Sequence, residues 1–338
     1  MQRCRREAET AATPRRAPRS RLRSIASVLL PLTLAALAAL AAANAAAQDL
    51  EPRAYANTPV GMNFAIVGYA YTHGDVAADA SAPLANGNVQ LNSALVAYVR
   101  SLDVLGKSAK VDVILPYSWA SGSAEITQDI ASAGLQAGDR ASRNVGGLGD
   151  ARFRFSMNFY GAPALSLEDF ADYEQDLIIG GSLQVTAPIG RYQGDKLLNI
   201  GNNRWAFKPE IGISKSWKPL ILELSAAGTF YTDNDRFFHG HRRSQNPIGS
   251  TQLHAIYSFP YGIWGALDFT YYAGGKTRID GVSRHDVESN TRVGATIALP
   301  VNRYNSIKLY GSTGATARAG GRFDAIGIAW QVRWGGGL

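Results

Sequence analysis

Cysteine is almost absent: the 338-residue chain has one, Cys4, close to its start. That excludes a disulfide framework, and beyond residue 4 it excludes thiolate catalysis and cysteine-ligated metal. Long apolar runs are missing as well. Past residue 47 no stretch reaches the 18 or so consecutive apolar residues of a membrane helix, and mean hydropathy is -0.11. A helical span is thereby excluded, but a barrel is not, because its lipid-facing residues occupy only every second position. No Pro/Gly/Ser-rich linker divides the chain after its leader, so it reads as one domain.

A charge excess is lacking too, once the leader is set aside. Residues 1–23 carry eight arginines and no lysine. Residues 25–43 are apolar apart from Ser27 and Thr33, and Ala45-Ala46-Ala47 offers a small-residue cleavage site before Gln48. The expected organisation is a signal peptide over 1–47, a short periplasmic N-terminal segment over 48–60 and a membrane barrel over 61–338. General export is the expected route, and Arg5-Arg6 and Arg15-Arg16 leave a twin-arginine route open. Beyond the leader 26 basic residues face 25 acidic ones, so the formal +7 falls to +1. The basic balance that would suggest a nucleic-acid partner disappears, and none is expected.

What is present is alternation. About twelve stretches of roughly ten to thirteen residues alternate apolar with polar, the length a tilted strand needs to cross a bilayer. Ala151, Phe153, Phe155, Met157 and Phe159 oppose Arg152, Arg154, Ser156 and Asn158, and Trp205, Phe207, Ile211, Ile213 and Trp217 oppose Arg204, Lys208, Glu210, Ser214 and Ser216. The stretches 62–73 and 89–101 are less decisive, since both parities carry apolar residues. Short connections at 102–107, 218–219, 260–261 and 300–303, with a middling one at 161–175, alternate with long ones at 74–87, 121–146, 190–202, 233–248, 274–288 and 314–323. An even strand count with both ends on the short-turn side is the bacterial outer-membrane arrangement, long loops outward. Aromatics at strand ends, such as Trp119, Tyr160, Trp205, Trp217, Tyr231, Phe259, Trp330 and Trp334, suit interfacial girdles. A soluble barrel would exchange the faces, but twelve strands enclose too wide an interior for such side chains to fill.

The inward parity gathers charges of both signs: Lys110, Asp112, Asp150, Arg152, Arg154, Arg204, Lys208, Glu210, Glu223, His254, Asp268, Arg292, Lys308 and Arg333. They either select solutes in a wet lumen or form ion pairs along the wall. Candidate solute contacts are Arg152, Arg154, Arg204, Lys208, Glu210 and Arg292, with Tyr272 and Tyr310. Asp233 and Asp235 with His239 and His241 form the one cluster suggestive of a metal or protease-like site, without a recognised ligand spacing. His254 and Ser258 share a face but stand about 13 Å apart along a strand, too far for a nucleophile and its base. No cofactor and no catalytic residue are expected.

Several motifs match a known family: Gly147-Leu148-Gly149-Asp150, the run from Asn158 to Leu165, Pro188-Ile189-Gly190-Arg191-Tyr192, Asn199-Ile200-Gly201-Asn202-Asn203-Arg204-Trp205, Lys208-Pro209-Glu210, Tyr271-Tyr272-Ala273-Gly274-Gly275 and the ending from Ile328 to Trp334. Across about 62–334 the chain resembles the outer-membrane proteins named after the meta-pathway of phenol degradation. The resemblance implies the bacterial outer membrane and passage of small hydrophobic or aromatic solutes. The expected partners are membrane lipid, the barrel-assembly machinery and a small organic solute; the oligomeric state is not legible. Barrels of this type commonly end on an aromatic residue, whereas Gly335-Gly336-Gly337-Leu338 follows Trp334 here. Two other classes stay open: a lipase- or protease-like barrel enzyme, and a structural or adhesive barrel with a plugged lumen.

Overall fold

The computed structural model describes residues 51–76, 84–126, 136–196, 198–238, 240–316 and 322–338. The expected signal peptide and His239 lie outside them. The wall begins with β1 (Met62–Val76), β2 (Leu84–Val104) and β3 (Lys107–Ile126), then β4 (Arg140–Leu148), β5 (Ala151–Tyr160), β6 (Leu177–Ala187), β7 (Ala206–Trp217) and β8 (Leu220–Tyr231). After the excursion β9 (Asn234–Phe237) and β10 (His241–Gln245) come β11 (Ile248–Ser258) and β12 (Trp264–Gly274). A second excursion, β13 (Thr277–Ile279) and β14 (Val282–Ser283), precedes β15 (Glu288–Pro300), β16 (Asn305–Thr316) and β17 (Arg322–Gly335).

Each wall strand pairs antiparallel with its neighbours, and β1 pairs with both β2 and β17, which closes the cylinder. Because β4 and β5 both pair with β3, they are two halves of one stave, and the barrel has twelve. The faces fall as alternation requires. Leu267 and Phe269 are 68% and 42% exposed while Asp268 and Thr270 between and beside them are 4% and 2%. An apolar outer row over a polar inner one is stable only against hydrocarbon, so the cylinder is a transmembrane barrel.

The stave breaks at Gly149-Asp150. The Asp150 carboxylate accepts from the backbone N–H of Gly190 (2.9 Å) and from Asn202 through its N–H (2.8 Å) and side-chain amide (3.1 Å). A side chain at Gly190 would begin 2.7 Å from Asp150 Oδ1, and one at Gly201 2.7 Å from the Gly190 carbonyl carbon. The loop 188–205 can therefore approach the break only with glycine at both positions. Arg191 N–H then donates to the Leu148 carbonyl at 2.7 Å, extending the wall past the break. Three of the family-like motifs thus meet at one carboxylate.

Three connections differ from expectation. The span 121–146 is shorter as a loop, because β3 and β4 continue as a ladder as far as Glu125 opposite Arg140. The spans 233–248 and 274–288 are not plain loops: β14, β13, β10 and β9 form a separate four-stranded sheet. Its strand β10, His241-Arg242-Arg243-Ser244-Gln245, is polar on both faces and gives no alternation to read.

Candidate functional site

Twelve strands spaced about 4.8 Å and tilted about 40° enclose a backbone radius of about 12 Å, room for one extended segment beside the inward side chains. The chain supplies that segment. Residues 51–55, within the span 48–60 expected as a short periplasmic segment, run inside the lumen, and 57–61 bond to the short-turn end of the barrel. Tyr55 donates its phenol to Glu210 Oε1 (2.7 Å), the Arg53 N–H reaches Glu223 Oε2 (2.7 Å), Lys110 Nζ donates to the Ala54 carbonyl (2.8 Å), and Asn158 Nδ2 to that of Tyr55 (3.1 Å). Glu51 pairs with Arg154, which also binds Asp112 at 2.8 Å. The Tyr55 ring lies over Gly180 and Gly212, cross-strand partners on β6 and β7, where a side chain at Gly212 would begin 2.2 Å from the ring. That pair of inward glycines was the sequence signal for an inserted ring; Glu51, Arg53 and Tyr55 themselves carried none.

The segment docks on the polar half of the wall. A small pocket, partly open to the rest of the lumen, remains between it and residues such as Gln184, Lys208, Glu223 and His254. Glu223 also accepts from Ser214 (3.0 Å), and His254 Nδ1 lies 2.6 Å from Asp268, which Thr296 supports. The other half differs. Phe64 and Ile66 on β1, Leu95, Ala97 and Val99 on β2 and Ile114 on β3 face inward and are half-buried, and β17 adds Ala325, Gly327 and Ala329. Their outward neighbours Val67, Tyr69, Val96 and Tyr98 are exposed to lipid. This explains the indecisive alternation of β1 and β2: both of their faces meet apolar surroundings.

The expected contact residues disperse over this lumen. Arg154, Lys208 and Glu210 gather around the inserted segment, Lys208 standing 3.4 Å from Glu210. Arg152 is inward and half-buried on the same stave. Across the barrel, Arg292 donates to Ser312 Oγ (2.7 Å), Tyr272 is buried, and Tyr310 lies against Gly327. Arg204 stands at the long-loop rim, 4.1 Å above the ring of Tyr231. Tyr231 therefore faces inward instead of joining the interfacial girdle, as its parity with Glu223 on β8 requires. Of the loop cluster, Asp233 and Asp235 both face Arg242 (2.6 and 3.3 Å), and His241 lies 2.5 Å from Asp280. Among the described residues no group of three or more metal-ligating side chains converges.

No curated protein matches the chain. Among solved structures it is similar to an outer membrane channel from Pseudomonas putida F1, at 19% identity over 85% of this chain and 100% of that one, with a TM-score of 0.69. It is also similar to the transport unit of the autotransporter AIDA-I from Escherichia coli, at 9% identity over 90% and 98% of the two chains, with a TM-score of 0.51. At such identities the likeness is one of fold, that of outer-membrane barrels. Residues 69–332 match the family described as "Putative MetA-pathway of phenol degradation", in line with the motifs around Asp150 and the C-terminal strand. That stretch covers most of the chain and nearly all of the barrel, and the chain belongs to this family.

Proposed function

We propose that the barrel lets small hydrophobic or aromatic organic solutes cross the outer membrane by diffusion. The observation that carries this reading is the divided lumen: the N-terminal segment is bound to the charged half of the wall, and a half-buried apolar strip on β1, β2, β3 and β17 faces it. An apolar solute gains about 25 cal/mol for each Å² it removes from water, and such a strip offers that gain at the depth of the bilayer. Solute contact is assigned to the strip together with Tyr310, whereas Arg154, Lys208 and Glu210 hold the segment in place. No bond-making step is assigned, and the inward imidazole of His254 is engaged by Asp268.

Liposomes carrying the protein test this. Labelled toluene and phenol are expected to enter much faster than into empty liposomes, and labelled glucose not to. Leu95→Asp, which puts a charge on the strip, is expected to slow aromatic entry about tenfold, since an apolar solute would have to desolvate that carboxylate. Equal entry of glucose and toluene, or unchanged entry through Leu95→Asp, would count against the proposal.

A further inference from the structure

At the long-loop end of the lumen, four buried nitrogen atoms that carry hydrogen have no acceptor among the described residues: Nη1 of Arg204, Nε and Nη2 of Arg243, and Nε2 of Gln245. They form one cluster. Arg204 donates through Nη2 to Gln245 Oε1 at 2.5 Å, and Arg243 and Gln245 are alternate residues on one face of β10. Arg204 and Arg243 are only 4% and 2% exposed. Neither has a carboxylate within ion-pair distance among the described residues.

A buried N–H without an acceptor is destabilising, and a guanidinium cannot relieve the deficit by losing its proton near neutral pH. Burial, and next the like charge of Arg243, push the Arg204 guanidinium down to about 9, which leaves it protonated at neutral pH beside a second cation. The missing partner is therefore an acceptor from outside, and two guanidinium forks select an anion over water. The fixed negative charges acting on Arg204 are Asp150, held by Gly190 and Asn202, and Asp233, paired with Arg242; those acting on Arg243 are Glu288 and Asp286, and Asp286 is occupied by the Thr277 N–H (2.9 Å) and hydroxyl (2.5 Å). Asp150, Asp233 and Asp286 are engaged by other donors and Glu288 faces both arginines, so the added negative charge the cluster accepts is small, which suits a monoanion better than a phosphate dianion. Aromatic faces flank the donors: Tyr231 lies 4.1 Å from the Arg204 guanidinium and Phe237 5.6 Å from that of Arg243.

We infer that Arg204, Arg243 and Gln245 form a binding site for the carboxylate of an aromatic monocarboxylic acid, whose ring rests against Tyr231 and Phe237. The site stands at the end of the lumen bearing the long loops, where a solute from outside would arrive. This inference rests on the channel reading and narrows it, by adding a recognition point for acids to a route for apolar bodies.

The test is calorimetric titration of benzoate into the full protein in detergent micelles, at neutral pH without phosphate. One benzoate is expected to bind per barrel, and neither benzyl alcohol nor chloride at the same concentration should displace it. Arg243→Met is expected to weaken benzoate at least tenfold. Glu288→Gln is expected to tighten it severalfold, a gain that misfolding cannot produce. Equal affinity in Arg243→Met, weaker binding in Glu288→Gln, or displacement by chloride would overturn the assignment. Toluene entry into liposomes separates this idea from the one beneath it. If only the acid site is wrong, toluene still enters and benzoate fails to bind; if the channel reading is wrong, toluene stays out even where benzoate binds.

Discussion

Replacing Gly212 by alanine should release the front of the inserted segment while leaving the wall intact. Gly212 lies within β7 and has no positive φ, so an alanine fits the strand itself. What its Cβ meets is the Tyr55 ring, 2.2 Å from Cε2 and 2.3 Å from Cζ. Displacing that ring breaks the 2.7 Å hydrogen bond to the Glu210 carboxylate, worth about 1.5–3 kcal/mol for a charged acceptor. It also exposes a side chain now 4% accessible, at a further cost of about 1.5–3 kcal/mol. The two together shift the equilibrium between docked and released segment by about two to four orders of magnitude, at about 1.4 kcal/mol per decade. Single-channel recording in planar bilayers is the assay, with heat-modifiable migration on gels showing that the barrel is folded. Higher conductance is expected for Gly212→Ala. In a Tyr55→Ala background the same substitution should add nothing, because the clash has gone. Unchanged conductance in a folded single variant, or an equal increment in both backgrounds, would refute the socket reasoning.

Other outcomes follow from the same contacts. Arg154→Met leaves Glu51 and Asp112 without their cation, and losing one partner of a buried pair costs about 3–5 kcal/mol; the temperature at which the folded band is lost on gels should fall, and conductance or ion selectivity should change. Asp150→Ala removes three hydrogen bonds that hold the 188–205 loop, so limited proteolysis should cut that loop first while the barrel stays protected. Asp280 has its carboxyl held below the usual range, first by the Arg242 N–H and then by His241. That contribution to the β9–β14 sheet is present above the ordinary carboxylate pKa of about 4 and lost as pH falls through the lowered value, so protease sensitivity of this sheet should rise only in strong acid. Deleting residues 335–338 leaves Trp334 in β17, and heat-modifiable barrel should still form.

Much of the architecture was legible in one dimension. Period 2 separated Leu267 and Phe269 from Asp268, and Phe153 and Phe155 from Arg152 and Arg154, and the structure keeps those faces. Where alternation failed, the failure had a cause. β1 and β2 are apolar on both faces because one meets lipid and the other an apolar lumen, and β10 is polar on both faces because it lies in a loop excursion.

The sequence by itself determined the membrane barrel, its family and the inward or outward sense of most side chains, since each of these depends on local spacing. Only the tertiary structure decided that residues 51–55 enter the lumen, that Tyr55 rests on Gly180 and Gly212, and that Arg204 meets Gln245 from β10. Those partners are tens to more than a hundred residues apart in the chain. Strand alternation records only which way a side chain points; what it meets there is set by register around the closed sheet and by the segment that fills it.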